Sequence, residues 1–189
     1  MGEVVWGNYE LYVPPVQGAL RDMTKTEAQA CHERSMATMP ERIEMLTAVL
    51  RASATLASDT PKLRVAALQM LLRHVTASAS HPVDTEVGRA LGLVDRDLDS
   101  PWYSVIHDGG LLLGEAIRER APHLAWTMQA VRPKDVNFQA TVLVGFTNAF
   151  PKYTMCPQRL VSQIAHQVAA GRDKVQNVSD LLTINLAKA

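Results

Sequence analysis

Hydrophobic residues recur every three or four positions over much of this chain, which is the spacing of helices with one buried face. The pattern turns helical after Thr26, and Thr38 to Glu41 has the spacing of a capping box, with a proline in the first turn, that predicts a helix start. The apolar stripe behind it comprises Ile43, Leu46, Leu50, Ala54 and Ala57. The segment Ser58 to Pro61 has the residues of a helix end followed by a helix start. It predicts a second helix that packs antiparallel on the first.

Two segments of the N-terminal half lack helical spacing. The first residues are rich in aromatic and β-branched side chains but end at Pro14 and Pro15, so they predict an extended arm or a short edge strand. Residues 77–99 contain His81 and Pro82 and carry few strong patterns of their own. We expect them to form a connecting loop.

Helix and strand signals alternate after residue 99. Ser100, followed by a proline, predicts the start of a third helix, which contains three glycines. The alternation over 124–130 and the apolar run over 141–146 predict two strands, and the short polar segment between them allows antiparallel pairing. Two closing helices are predicted from Pro157 and Ser179.

These elements predict an α-rich α+β fold in a single domain, residues 1–189. Within it we expect a helical N-terminal part (1–76), the connecting loop (77–99) and an α+β part (100–189). In the last part the glycine-rich helix packs on a short antiparallel sheet and two C-terminal helices follow.

Composition narrows the class of protein. Of 189 residues, 47% are hydrophobic and 20% are charged, which is ordinary for a globular domain and argues against disorder. The formal net charge is zero, so no excess positive field favours nucleic acid. No apolar run is long enough for a bilayer, and the acidic N-terminus lacks the pattern of a secretory signal. We expect a cytoplasmic protein that binds neither membrane nor nucleic acid.

Cysteines and histidines give no metal-binding pattern. The two cysteines, Cys31 and Cys156, lie far apart and are expected to be free thiols. None of the six histidines has the partner spacing of a zinc site on a helix. We therefore expect no metal and no cofactor.

The segment HDGGLLLGEAI contains the most unusual pattern, three glycines within one predicted helix. Gly109, Gly110 and Gly114 lack the lysine of a phosphate-binding loop and the preceding strand of a dinucleotide fingerprint. Each glycine weakens a helix by about 0.8 to 1 kcal/mol relative to alanine, so tight packing has to compensate. We interpret them as close-packing glycines, with a ligand-facing backbone as the alternative.

The same segment carries the candidate catalytic residues. Asp108 and Glu115 lie seven residues apart on nearly the same helix face, and His107 precedes them. Glu115 stands in an apolar context, where a carboxylate needs a cation such as Arg118, three residues on. A structural salt bridge is favoured, and a small hydrolase or metal-assisted enzyme that uses His107, Asp108 and Glu115 is the alternative.

Two further groups of residues are candidates for contact with a partner protein. An acidic cluster, Asp95, Asp97 and Asp99, lies in the VDRDLDS segment, and its alternative role is a solvated loop or helix cap. Phe150 and Tyr153 lie in a loop rich in large apolar side chains, a composition typical both of interfaces and of a cap on the core.

The segment GLLLGEAIRERAPHLAW, Gly110 to Trp126, resembles a helix-then-strand pattern of uncharacterised bacterial proteins, some of which are immunity-like. The resemblance covers about residues 100–150 and implies a fold fragment and a bacterial origin. Given this resemblance, we expect a non-catalytic interaction protein, and more specifically an immunity-type protein that binds and blocks a toxin. The oligomeric state stays open.

Overall fold

The computed structural model describes residues 4–53, 60–75, 79–83, 95–130, 133–150, 152–172 and 176–189. Within these ranges the chain has a helix-rich α+β fold. A short 3-10 helix, Leu20–Asp22, precedes the other elements. They are α1 (Lys25–Ser53), α2 (Pro61–Leu72), β1 (Ser80–Val83), β2 (Asp95–Leu98), α3 (Ser100–Arg118), β3 (Ala125–Met128), β4 (Thr141–Val144), α4 (Pro157–Ala169) and α5 (Val178–Lys188).

The helical pattern predicted from Thr26 is confirmed, because α1 begins at Lys25, but the helix start predicted at Thr38 is wrong. The capping box that starts α1 is Thr24 to Glu27: the Glu27 amide donates to Thr24 Oγ1 at 3.3 Å, and the Thr24 amide donates to the Glu27 carboxylate at 2.7 Å. Pro40 lies inside α1. The helix continues through it because buried residues on both sides of the proline hold one face against the core.

Residues 77–99, predicted to be a connecting loop, contain two paired β-strands in their described parts, 79–83 and 95–99. β1 and β2 pair antiparallel, from Ser80 opposite Leu98 to Val83 opposite Asp95. Each strand has four residues, and β2 reads DRDL, so no alternation of apolar and polar residues is long enough to predict it. The missed strands are thus short and polar.

The predictions for the C-terminal half are confirmed. β3 and β4 pair antiparallel, with Trp126 opposite Leu143, and a bridge from Leu143 to Met155 extends this pairing. α4 begins at Pro157 and ends before Gly171, whose φ of 66° is the left-handed conformation that terminates helices. The helix α2 also starts as expected, where Thr60 Oγ1 accepts from the Leu63 amide.

The glycine-rich helix α3 lies at the centre of the fold. It packs against α1, α2, α4 and α5, so apolar side chains on most of its circumference are buried. The buried core includes Leu46, Leu50, Leu68, Leu71, Leu72, Leu111, Leu113, Ile117, Leu124, Leu143, Met155 and Ile164. None of the helices in the described ranges has the length and apolar character needed to cross a membrane.

The N-terminal arm, residues 4–18, crosses α1 and α3 without forming a helix or strand. It is fixed at several points: the Val5 amide donates to Ser53 Oγ at 3.0 Å and the Tyr12 amide donates to Ser104 Oγ at 2.8 Å. The Trp6 ring also packs edge-on against Trp102, with centroids 5.5 Å apart. The arm is therefore a fixed part of the fold.

Candidate functional site

A buried carboxylate connects the arm, α1 and α3. The Asp108 side chain has no exposed surface, and Arg42 from α1 donates to it from Nε at 3.0 Å and from Nη2 at 2.7 Å. The Tyr9 hydroxyl donates to Asp108 Oδ2 at 2.5 Å, and His107 Nδ1 lies 2.8 Å from Oδ1. We call these four residues the buried cluster. A carboxylate with this many donors is held in one position.

His107 links the buried cluster to a serine hydroxyl on α1. Its Nε2 atom lies 3.1 Å from Ser35 Oγ, while its Nδ1 atom faces Asp108. When Nδ1 carries the proton donated to Asp108, the neutral ring presents Nε2 as an acceptor toward Ser35. Ser35 Oγ also lies 3.0 Å from the Cys31 carbonyl oxygen, so rotation of the hydroxyl moves its proton between two acceptors.

Tyr12 of the N-terminal arm covers this pair. Its ring stacks on the imidazole of His107 with centroids 3.5 Å apart and planes 8° from parallel. Its hydroxyl lies 3.1 Å from Ser35 Oγ. Because one face of the imidazole is covered and both its nitrogens are bonded, the ring orientation of His107 is fixed.

These polar groups line one part of a cavity of about 250 Å³. The N-terminal arm contributes Tyr12, Pro14 and Val16, and the following Leu20 closes the same wall. The remaining lining comes from α1, α3, β4 and the start of α4, and includes Ala28, Cys31, His32, Ser35, Ile106, His107, Ala140, Thr141 and Cys156. The cavity is thus mostly apolar, with Ser35, Thr141, His32 and His107 among the polar residues of its wall.

Burial shifts the acid–base properties of several groups around the cavity. Burial, and then the charge of Asp108, raise the pKa of Tyr9 well above its usual range, so the phenol stays a donor. Burial raises the pKa of Tyr12, and the hydrogen bond with Ser35 opposes this only in part. Burial opposes the charge of Arg42, but the hydrogen bonds and charge of Asp108 outweigh it and raise the pKa of Arg42.

Further hydrogen bonds within the cavity wall join the segment after the arm, and α1, to β4 and the residue before it. Gln139 Nε2, just before β4, donates to the carbonyl oxygens of Leu20 and Met23 at 2.5 and 2.9 Å. His32 Nδ1 lies 3.1 Å from Thr141 Oγ1, and burial lowers the pKa of His32. These bonds connect α1 and the segment that follows the arm to β4 and Gln139.

Of the predicted catalytic residues, the structure brings His107 and Asp108 together and leaves Glu115 elsewhere. Glu115 Oε1 accepts from Arg118 Nη1 at 2.8 Å and from Trp126 Nε1 at 2.6 Å, and the side chain is 26% exposed. It does not line the cavity. Glu115 therefore does not belong to the catalytic group that the hydrolase alternative assigned to His107, Asp108 and Glu115. The seven-residue spacing puts it about 10 Å further along the helix than Asp108.

The three glycines face neighbouring parts of the chain. A Cβ atom on Gly110 would lie 2.6 Å from the Cα of Gln158 in α4, and one on Gly109 would lie 3.0 Å from Leu68 Cδ2 in α2. A Cβ on Gly114 would overlap the ring of Trp126 in β3. These close approaches place α3 against α2, α4 and β3.

Two members of the predicted acidic cluster have partners within the described residues. Asp97 Oδ1 accepts from the Tyr103 hydroxyl, and Asp99 Oδ1 lies 3.5 Å from His81 Nδ1. The side chain of Asp95 lies outside the described part of the chain. Two of the three carboxylates are thus engaged within the protein.

The two predicted aromatic residues differ in their surroundings: Phe150 is exposed, whereas Tyr153 is hydrogen-bonded within the protein. Phe150 is 68% exposed. The Tyr153 hydroxyl donates to Asn185 Oδ1 at 3.0 Å and accepts from Lys188 Nζ at 3.2 Å. Tyr153 therefore fastens the loop to α5, while Phe150 remains available to a partner.

Comparison with known proteins adds nothing to this geometry. No protein-family model, curated protein or solved structure matches the chain. Within the described residues, no group of three histidine, cysteine, aspartate or glutamate side chains has the geometry to hold a metal ion. Function has to be inferred from the side chains themselves.

Four residues of this region were missed at the sequence level: Tyr9, Tyr12, Ser35 and Arg42. Two of them left a signal, because Ser35 and Arg42 interrupt the apolar stripe that runs along α1. A serine and an arginine at buried helix positions need partners, which would have pointed to a polar cluster. The tyrosines of the arm carried no such signal, since their partners lie about 90 residues away or more, or on another element.

Proposed function

We propose that the protein binds a small, mainly apolar molecule with one hydrogen-bonding group in the cavity beneath the N-terminal arm. The observation that carries this proposal is the combination of apolar walls with His107 and Ser35 in one cavity of about 250 Å³. An apolar protein cavity of about 150 Å³ is large enough for benzene. A molecule the size of a substituted benzene therefore fits.

The polar groups favour a ligand with a hydroxyl or carbonyl over a plain hydrocarbon. Ser35 and Tyr12 place hydroxyl groups in the cavity wall, and a hydroxyl can both donate to and accept from a ligand. A few placed polar groups in an apolar pocket fix the orientation of a ligand and supply specificity.

Calorimetric titration with benzyl alcohol and toluene tests the proposal, since these ligands differ by one hydroxyl group. We expect both to bind and benzyl alcohol to bind more tightly. Ala28→Leu, which fills the cavity from α1, should abolish binding of both, and the matched control Ala37→Leu, on the exposed face of α1, should leave binding unchanged. Equal binding by Ala28→Leu, or no binding by the native chain, would contradict the proposal.

A protein-binding, immunity-type function against a toxin stays a prediction. The described side chains favour it less than the cavity, because Asp97, Asp99 and Tyr153 already have partners within the chain. Phe150 is the exposed residue that such a partner would contact.

A further inference from the structure

We propose that Ser35, His107 and Asp108 act as nucleophile, base and orienting carboxylate, and that the protein hydrolyses esters of small apolar molecules held in the cavity. The inference rests on the proposed binding function, because the cavity supplies the place for the substrate. It adds an activity to binding.

The geometry meets the two requirements for an activated hydroxyl. The nucleophile lies within hydrogen-bond distance of the base, at 3.1 Å, and the base lies 2.8 Å from a buried carboxylate on its other nitrogen. Arg42 and Tyr9 fix that carboxylate from the far side. Such a constellation is recognised by the roles of its members and not by their order in the chain.

A second serine–histidine contact in the protein differs from that of Ser35 and His107 in whether the histidine contacts a carboxylate and in its place relative to the cavity. Ser162 Oγ lies 3.3 Å from His166 Nδ1 on α4, but that nitrogen also faces the Ser162 carbonyl oxygen at 2.8 Å. Among the contacts of the described residues, His166 has no bond to a carboxylate. Ser162 lines none of the cavity that holds Ser35. This pair is a natural control.

The reaction balances with water as the only co-reactant. Ser35 Oγ attacks the ester carbonyl carbon while His107 Nε2 takes the hydroxyl proton. The carbon–oxygen bond of the ester then breaks, and His107 returns the proton to the leaving oxygen, which releases an alcohol or phenol. Water attacks the acyl-serine through the same base, which releases the carboxylic acid and restores Ser35.

Tyr12 supplies the donor for the negative charge that develops on the carbonyl oxygen. Its hydroxyl lies 3.1 Å from Ser35 Oγ, next to the carbon under attack, and it lines the cavity. Burial raises the pKa of Tyr12, which keeps the hydroxyl protonated and able to donate. The N-terminal arm thus completes the site as well as covering it.

The cavity defines the substrate class as small apolar esters, with phenyl acetate as the test substrate and phenylmethanesulfonyl fluoride as the covalent probe. In the probe reaction, Ser35 Oγ forms a bond to sulfur and fluoride leaves. The full chain is incubated with the probe, and the modified residue is located by peptide mass spectrometry. Phenol release from phenyl acetate is measured on the same preparations.

We expect the probe on Ser35 and catalysed release of phenol, both lost in Ser35→Ala and retained in Ser162→Ala. His107→Gln should slow labelling about 100-fold or more, the usual effect of losing a general base. Tyr12→Phe, which keeps the stacked ring, should slow it by a similar factor, as for the loss of one oxyanion donor. Because Tyr12→Phe and Ser35→Ala remove single oxygen atoms, they test the site even where His107→Gln does not fold.

Other outcomes separate the two proposals. The esterase proposal is overturned if Ser35 is not labelled, or if the native chain and Ser35→Ala hydrolyse the ester equally. If benzyl alcohol still binds in that case, the proposed binding function stands. Label distributed over surface residues likewise overturns the esterase proposal. Failure of benzyl alcohol and toluene to bind overturns the binding function and, with it, the substrate pocket of the esterase.

Discussion

Helix α3 carries two acidic residues whose surroundings differ sharply although only two turns separate them. Asp108 is fully buried and takes bonds from Tyr9, Arg42 and His107. Glu115 is 26% exposed and pairs with Arg118 on its own helix and with Trp126. One carboxylate connects three distant segments of the chain, and the other supports a local contact.

The difference shows that burial and hydrogen-bond partners, more than residue type, determine the structural role of a carboxylate. A buried charge is tolerated only when it is paired and hydrogen-bonded, so the surroundings of Asp108 are tightly constrained. A partly exposed pair is screened by solvent and constrains little. The buried carboxylate is therefore the one that can orient a histidine beside a cavity.

The largest effect is expected from Asp108→Ala, which leaves Arg42 buried without its carboxylate. Removing one partner of a buried ion pair costs about 3–5 kcal/mol in the free energy of unfolding. Urea denaturation followed by circular dichroism measures this loss. A loss below about 1 kcal/mol would mean that water reaches Arg42, and it would remove the contrast with Glu115.

Gly110→Ala tests how closely the backbone of α3 is packed near Asp108. The new Cβ meets the Gln158 backbone at 2.6 Å, and backbone cannot move aside as a side chain can. We expect a loss of about 1–3 kcal/mol in unfolding free energy, typical of overpacking, despite the better helix propensity of alanine. Gly109→Ala, whose Cβ meets the ends of the Leu68 and Val161 side chains and no backbone, is the milder matched variant in the same denaturation experiment.

Tyr9→Phe removes one donor to Asp108 and keeps the ring. A hydrogen bond to a charged group contributes about 1.5–3 kcal/mol, and we expect a loss in that range. Burial, and then the Asp108 charge, raise the pKa of Tyr9, so the unfolded chain loses this proton first. The stability difference between the two proteins should therefore shrink as the pH rises above about 10. A constant difference across that range would contradict the assigned bond.

Glu115→Gln should have the smallest effect. The ion pair with Arg118 is partly exposed, and such pairs contribute about 0.2–1 kcal/mol. The amide of glutamine can still accept from Trp126, so tryptophan fluorescence should change little. A loss as large as that of Asp108→Ala in urea denaturation would show that the two halves of α3 are equally constrained.

The fold was largely predictable from the sequence, because the long apolar stripes of α2 and α3 and the alternation in β3 have clear periods. The helical pattern was predicted from Thr26, but a helix start was wrongly predicted at Thr38 because two capping-box spacings compete, at Thr24 and at Thr38. The pairing of β1 with β2 was missed because each strand has only four residues, SHPV and DRDL, which are too few to show a period.

The candidate site was predictable only in part. His107 and Asp108 drew attention as a charged pair within an apolar helix. Ser35 lies 72 residues from His107 and Tyr9 lies 99 residues from Asp108, and no local pattern encodes such contacts. The arm was predicted to be extended, but its position over α1 and α3 depends on tertiary bonds that a pattern does not contain.

Histidine-ring NMR during titration with benzyl alcohol tests most directly whether the polar groups of the cavity meet the ligand. The signals of His107 are assigned by their loss in His107→Gln, and His123, which is exposed and bonded to the Ala189 carbonyl oxygen, serves as the internal control. We expect the His107 ring signals to move with ligand concentration while those of His123 stay in place. Binding of benzyl alcohol with unchanged His107 signals, or equal movement of both rings, would contradict a ligand site beside His107.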